Sequence, residues 1–403
     1  MIAVGGWAGT PLSGSPFQES FLHRMCGMVN AFVTQTYKHF QFVEDPRVNR
    51  GANYPLMELI FVTLCAVICD ADSWTDVERY GKAKQDWLRK FFPFASGIPS
   101  HDTLGRVFAK LDSVAFFSAL QSLAADLGKA IKNQTVAIDG KTVRGSFDTS
   151  VNQAPLHMVT AWACGLRLCI GAKAVDDKSN EIPAVQALIE QLNLQGAVVT
   201  ADAMHCQKET AQAIINKEAD FILQVKGNQP SLENALNEAI LDALEKNSKS
   251  KRVHRKTEEN RGRTEYRETV VIPCPDHPIF QQWPEVKTIG MTYRTRTIDG
   301  KLQEASSTFI TSLPCKVRTI ATRVREHWQI ENSQHYVLDV VFSEDSSRIR
   351  KGTAPEIASG FRRLALNILQ KDTTIKDAIR GKRKRCGWDN SAIEKLLAGY
   401  SCC

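Results

Sequence analysis

Hydrophobic and polar positions change period three times along the 403 residues. From Pro55 to about Lys132 the spacing is helical. Leu56 to Cys69 is apolar all round, which predicts a buried helix opened by Pro55. Asp70-Ala71-Asp72-Ser73 offers an N-cap for a second helix near Trp74 to Tyr80, with Gly81 as its stop. Ser100-His101-Asp102 caps a third, where Leu104, Val107, Phe108 and Leu111 fall at i, i+3, i+4 and i+7. This stretch, 51–133, is expected to be a helical domain. Its helix triplet matches a helix-turn-helix DNA reader, and a plain helical packing domain is the alternative.

From Gln134 the pattern becomes that of a mixed α/β (α+β) fold. Val136–Asp139, His157–Ala163 and Leu168–Val175 are expected strands. A helix capped at Ser179-Asn180 follows, then a strand at Ala197–Asp202, a helix at Gln207–Asn216 and a strand at Phe221–Val225. Three strands followed by alternating helix and strand is the order of a ribonuclease-H-like core. After Lys226-Gly227-Asn228 the alternation stops. Three β-rich pieces, Tyr266–Ile272, Val286–Arg296 and Ser307–Ser312, predict a β-rich insertion at about 229–315. Helical spacing resumes near Val317, and a last helix, Pro355 to Gln370, closes a catalytic domain assigned to 134–372. Residues 1–50 are expected to be atypical or disordered, and 373–403 to form a basic tail.

Composition narrows the class. Lys plus Arg number 51 against 44 Asp plus Glu, a net +7, and the excess is clustered in Lys249–Lys256 and Arg380–Arg385. Such runs suit a polyanion, and a solvated face is the plain alternative. The 11 cysteines are scattered without a Cys-x-x-Cys pair, which fits a reducing cytosol and excludes a disulfide framework. The longest apolar stretch is interrupted by Glu58 and too short for a bilayer. Met1 to Arg24 has no basic n-region of a signal peptide. A cytoplasmic protein is expected, with no membrane and no organic cofactor.

The candidate chemistry lies in three acids. Asp139 ends the run Val136-Ala137-Ile138, Asp202 ends Ala197-Val198-Val199-Thr200-Ala201, and Glu331 sits in His327-Trp328-Gln329-Ile330-Glu331-Asn332. A carboxylate at the C-terminal end of a buried strand is held rigidly at the crevice where open α/β sheets bind ligands. Two of these and a helical Glu make the hard-oxygen donor set of a two-metal phosphoryl-transfer site. Two Mg²⁺ ions are expected, with Mn²⁺ able to substitute. Each acid also has a plainer reading. Asp139 before Gly140 could form a turn, Asp202 could be an N-cap, and Glu331 has Glu326, Asp339, Glu344 and Asp345 as neighbours. His327 and His335 are expected to orient Glu331 or touch phosphate. Lys226 and Asn228 are expected DNA contacts at a strand end. Lys141, Arg144, Arg348 and Arg350 are weaker ones, with surface salt bridging as the alternative.

The blocks Gly97-Ile98-Pro99-Ser100-His101-Asp102-Thr103, Ala137-Ile138-Asp139-Gly140-Lys141, Lys178-Ser179-Asn180-Glu181-Ile182-Pro183, Asp202-Ala203-Met204-His205-Cys206-Gln207 and Lys226-Gly227-Asn228-Gln229 occur in order. His327 to Asn332 and Leu338-Asp339-Val340-Val341-Phe342-Ser343-Glu344-Asp345 complete the series. Over roughly residues 50 to 390 the chain resembles the DDE transposases of bacterial insertion sequences, in the branch of H-repeat-associated proteins. The resemblance implies a ribonuclease-H-like fold and a catalytic triad on Asp139, Asp202 and Glu331. It also implies metal-dependent cleavage at element ends and strand transfer into target DNA by a homodimer or larger complex. Arg261-Gly262-Arg263 resembles a His-Gly-Arg of the family, which makes Arg263 a DNA candidate. Related transposases carry Arg four residues before the catalytic Glu and Lys seven after it. His327 and Leu338 stand there instead, so those contacts do not transfer. A DNA-binding relic or regulator, and a metal-dependent nuclease that never joins, are the alternatives.

Overall fold

The computed structural model describes residues 28–47, 53–127, 131–176, 180–260, 263–298 and 301–401. Among the described residues six helices precede the sheet: α1 Met28–Phe40, α2 Leu56–Ile68, α3 Trp74–Ala83, α4 Gln85–Leu88, α5 His101–Phe108 and α6 Ser113–Leu127. Helix α2 is buried nearly all round, as its unbroken apolar sequence requires. Ser73 and Asp76 form a reciprocal capping box at the start of α3, and the Ser100 hydroxyl caps α5. Gly81 does not stop α3. It is buried inside the helix, and a Cβ there would stand 2.7 Å from Ile98, so glycine serves close packing.

The strands are β1 Thr135–Val143, β2 Leu156–Ala163, β3 Leu168–Ala174, β4 Val198–Ala201, β5 Asp220–Val225, β6 Arg252–Asn260, β7 Arg263–Pro273, β8 Thr288–Ile298 and β9 Lys301–Thr311. They form one sheet in the order β3-β2-β1-β4-β5-β9-β8-β7-β6. Strands β1, β4 and β5 are parallel and the other pairings antiparallel. Helices α7 Glu181–Gln191 and α8 Lys208–Asn216 connect β3 to β4 and β4 to β5. Asn180 caps α7 by accepting from the Ile182 N–H. Helix α9 Pro230–Glu245 and the short α10 Pro278–Gln281 lie within the stretch between β5 and β8.

The β-rich stretch lies within 229–315 and extends the main sheet, because β9 pairs with β5 and carries β8, β7 and β6 outward with it. It covers the edge that β5 would otherwise expose. It also holds a fourth strand, β6, disguised in sequence by the basic run Lys249–Lys256. Residues 373–403 are not a tail. After α11 Val317–His327, α12 Tyr336–Val340 and α13 Ala354–Lys371 come α14 Ile379–Trp388 and α15 Asn390–Ser401. Ile393, Leu396, Leu397 and Tyr400 of α15 recur at helical spacing and are all buried. Residues 1–50 are only partly outside the described region, since α1 buries Phe32, Val33 and Phe40. Phe32 meets Tyr400 edge to face at 5.6 Å, so the two ends of the described chain close on each other.

One helix spans the join. Helix α13 is buried along almost its whole length, in contact with α2, α6 and β3. No single helix among the described residues is long and apolar enough to cross a membrane.

Candidate active site

Strand register sets the site. Strands β1 and β4 pair Thr135 with Val198, Ala137 with Thr200 and Ile138 with Ala201. The next step would place Asp139 beside Asp202, where β4 has just ended. Side chains alternate across a sheet, so Thr135, Ala137 and Asp139 share a face with Val198, Thr200 and Asp202. That face is covered by α11. Val198 packs with Ile320, Thr135 hydrogen-bonds Glu326, and Thr200 meets His327. The expected end of the first strand at Asp139 is corrected, because β1 runs on to Val143 paired with β2 alone.

The third acid comes from the helical run that begins with α11. The backbone widens into a π-helical turn at Glu331–His335 before α12, a distortion frequent at functional sites. Glu331 is exposed there and lies within electrostatic reach of Asp139. Burial, then the neighbouring Asp202 and also Glu331, push the Asp139 carboxyl up to about 6. Among the described residues no three His, Cys, Asp or Glu side chains close to the spacing that would hold one metal ion. The donor set nevertheless suits a divalent cation: hard carboxylate oxygens, with Asp202 and Glu331 near enough to raise the proton affinity of Asp139.

The two histidines, expected to orient Glu331 or touch phosphate, stand beside the aspartates. The buried His327 accepts at Nδ1 from the Thr200 hydroxyl (2.9 Å) and donates from Nε2 to Asp202 Oδ1 (3.2 Å). A carboxylate can only accept, so these partners fix the ring tautomer. The His327 hydrogen bond is the main reason the Asp202 carboxyl is held below its usual value. His335 Nδ1 stands 3.6 Å from Asp139 Oδ2, and its Nε2 is buried without a partner. Burial, then Arg363 and Lys141, lower the His335 ring to about 3, so it is neutral at physiological pH.

Lys141 is a further correction. Expected to contact DNA, it is 7% exposed and ion-paired with Asp339 (2.6 Å), Asp345 (2.8 Å) and Glu344 (3.5 Å). Glu344 in turn pairs with Arg363 at 3.0 Å beneath the site. Arg144 is exposed and reaches Asp345 at 3.4 Å, and Arg348 is exposed. Arg350 lies over the Phe147 ring at 4.7 Å. Lys226 is exposed after β5 and its charge acts on Asp202. Asn228 donates to the Ala203 carbonyl (2.6 Å), which steadies the turn after Asp202. The side chain of Arg263 lies outside the described residues.

Sequence reasoning missed a support on the opposite face. His157 of β2 and His205, three residues after Asp202, both meet Glu181 at the start of α7, at 2.6 and 3.2 Å. Gly140 makes room for this cluster, since a Cβ there would lie 2.5 Å from a Glu181 oxygen. Glu181 and His205 stood inside the quoted sequence blocks, but only the fold shows that they meet.

Asp202 also opens onto a cleft of about 560 Å³ between α11 and the inner faces of β7, β8 and β9. Lys226, Lys256, Arg267, Arg294 and Arg325 line it, with Trp328 under the Arg294 guanidinium at 4.9 Å. Burial first, then the like charges of Arg296 and Arg267 respectively, hold Arg294 and Arg325 below the usual arginine value. Crowded guanidinium groups of this kind attract polyanions.

Family models agree with these blocks. Residues 131–368 match the transposase DDE domain, and residues 37–124 match the DDE_Tnp_1-associated domain. The chain is 35% identical over 368 residues to the protein named "Putative transposase YncI" of Escherichia coli O157:H7, across 90% of this chain and 94% of that one. It is 33% identical to the "H repeat-associated putative transposase YhhI" of Escherichia coli (strain K12), across 90% and 97%. A piggyBac transposase synaptic complex with hairpin DNA aligns with 92% of this chain and 84% of its own at 10% identity. Its TM-score of 0.34 is too low for any argument to rest on it.

Proposed function

The chain belongs to the DDE transposases, in the branch of H-repeat-associated proteins, and from that premise we propose that it cuts DNA at the ends of an insertion sequence and joins the 3′ ends to target DNA. We read β3-β2-β1-β4-β5 as a ribonuclease-H-like core and the helices before it as a DNA-binding domain. The observation that carries the proposal is the strand register that sets Asp139 abreast of Asp202, with Glu331 in electrostatic reach.

Asp139, Asp202 and Glu331 would hold the divalent ions, with Mg²⁺ expected and Mn²⁺ able to replace it. Bound there, such ions lower the proton affinity of the attacking oxygen and offset charge on the departing one. The chain's own work is placement. His327 fixes the rotamer of Asp202, and neutral His335 borders Asp139 without competing for its charge. The cleft cations would hold the phosphates of the element's end. A strand-transfer assay with Mg²⁺ on DNA carrying the element's ends tests the reading. Joined product supports it, nicking alone makes the protein a nuclease, and binding without cleavage makes it a relic or regulator.

Two outcomes follow. His327→Ala is expected to lower turnover about 10- to 100-fold, as removal of a group that orients a metal ligand does, with partial recovery in His327→Gln. An unchanged rate would show that Asp202 needs no such support. The second outcome is read in stability. Because the folded-state value of Asp139 is raised, the folded chain holds a proton that the unfolded chain has released between pH 4 and 6. The fold is therefore weakened as pH rises through that window, and the penalty is full above it. In a chelator at pH 8, Asp139→Asn is expected to be more stable than the parent by up to about 3 kcal/mol. The difference should vanish below pH 4 and shrink when Mg²⁺ is added. Denaturant midpoints measure it, and equal stabilities at pH 8 would mean that the carboxylates are not crowded.

A further inference from the structure

Helix α14 carries its charges in two sets. Lys382 and Arg383 point inward, ion-paired with Asp372 at 3.0 Å and with Asp70 and Asp72 at 2.9 and 3.5 Å. Lys384 and Arg385 are exposed and have no ion pair among the described residues. Arg380, Lys384 and Trp388 fall at i, i+4 and i+8, so they make one outward stripe about 12 Å long. Trp388 is 79% exposed, an uncommon place for an indole on a helix that buries two of its cations. Asp377 and Asp389 flank the stripe, but both are taken up accepting local backbone N–H groups.

The stripe has a definite position relative to the carboxylates. The helical run from α11 to α12 lines the cleft through residues 321–328 and then carries Glu331. It meets α14 at its far end, where Arg380 donates to the Val340 carbonyl at 2.6 Å and Arg383 bonds the Val341 carbonyl. Along this run the cleft-lining residues come before Glu331 and the contacts with α14 come after it. Glu331 and Val340 are about 13 Å apart along the run, well within one turn of duplex DNA.

Joining two DNAs requires both at the carboxylates together. On the transposase reading above, we infer that the outward face of α14 (Arg380, Lys384, Arg385 and Trp388) holds the target duplex while the cleft holds the element's end. Lys and Arg on a helix face position a backbone without reading sequence, which suits a partner of arbitrary sequence. The indole offers apolar surface to the sugars between phosphates.

The test uses the full chain and a duplex of random sequence lacking the element's ends, read by fluorescence anisotropy across KCl concentrations. Lys384→Gln/Arg385→Gln is expected to weaken binding about tenfold at low salt. It should also flatten the log–log salt slope by about 2, near one for each phosphate no longer neutralised. Trp388→Ala should weaken binding about threefold and leave the slope as it was. In the strand-transfer reaction the double variant should lower the ratio of joined to cleaved product about tenfold. An unchanged salt slope overturns the inference. So does an equal fall in cleavage and joining, because the face would then serve the element's ends. A parent chain that binds the random duplex but never cuts DNA carrying the element's ends sinks the transposase reading, and with it the role of this face in joining.

Discussion

Asp202→Asn is expected to abolish cleavage at the element's ends, by about a thousandfold or more, while end binding changes by less than about threefold. The substitution keeps the shape that His327 grips and removes only the charge. Asn can still accept the hydrogen bond from Nε2 (3.2 Å in the parent), so the turn after β4 should hold. On the proposed reading, what disappears is a hard anionic metal ligand, which a neutral amide oxygen replaces poorly. Asp139→Asn and Glu331→Gln are expected to behave alike. The rivals for the third acid are weak ones, because Glu326 is occupied by Arg323 at 3.0 Å and Thr135, and Glu344 is fully buried against Arg363. Gel-electrophoretic cleavage and mobility-shift assays on the same end DNA separate the two effects. Normal cutting by Glu331→Gln would move the third ligand elsewhere.

The largest drop in stability is expected from Glu344→Gln. Glu344 has no exposed surface and is shared by Arg363 at 3.0 Å, Lys141 at 3.5 Å and Arg362 at 4.0 Å. Neutralising it leaves buried cations without a counter-charge, which costs about 3–5 kcal/mol. Burial by itself would raise the Glu344 carboxyl, but Arg363, Arg362 and Lys141 outweigh it and hold the group at about 2. A depressed carboxyl contributes fully above its unfolded value, near 4.5, and loses that contribution as pH falls toward 2. The stability gap between the parent and Glu344→Gln should therefore narrow as pH falls over that range. Urea unfolding from pH 2.5 to 7 reads both. A cost below about 1 kcal/mol at pH 7 would show that Lys141 is fully served by Asp339 and Asp345 and that Arg363 finds another acceptor.

Much of this molecule was legible in its sequence where local patterns dominate. The apolar run of α2, the Ser73 and Ser100 caps, and the strands around Asp139 and Asp202 follow from periodicity and capping chemistry. Charge hid other elements. Strand β6 looked like a solvated basic run, yet His254 and Lys256 turn toward the cleft while Arg255 pairs with Glu268 at 2.8 Å. Averaging hid α15, whose four buried apolar positions sit in a stretch judged by its basic content.

By itself the sequence determined which residues are candidates for the chemistry and on which kind of element each sits, because residue type and short-range period are local properties. Tertiary structure alone decided who meets whom. Pairing of β1 with β4 sets two aspartates side by side, the widened helical turn brings in Glu331, and buried partners make Lys141 structural and turn His327 toward Asp202. Those meetings depend on register and burial between segments far apart in the chain, which no local pattern encodes.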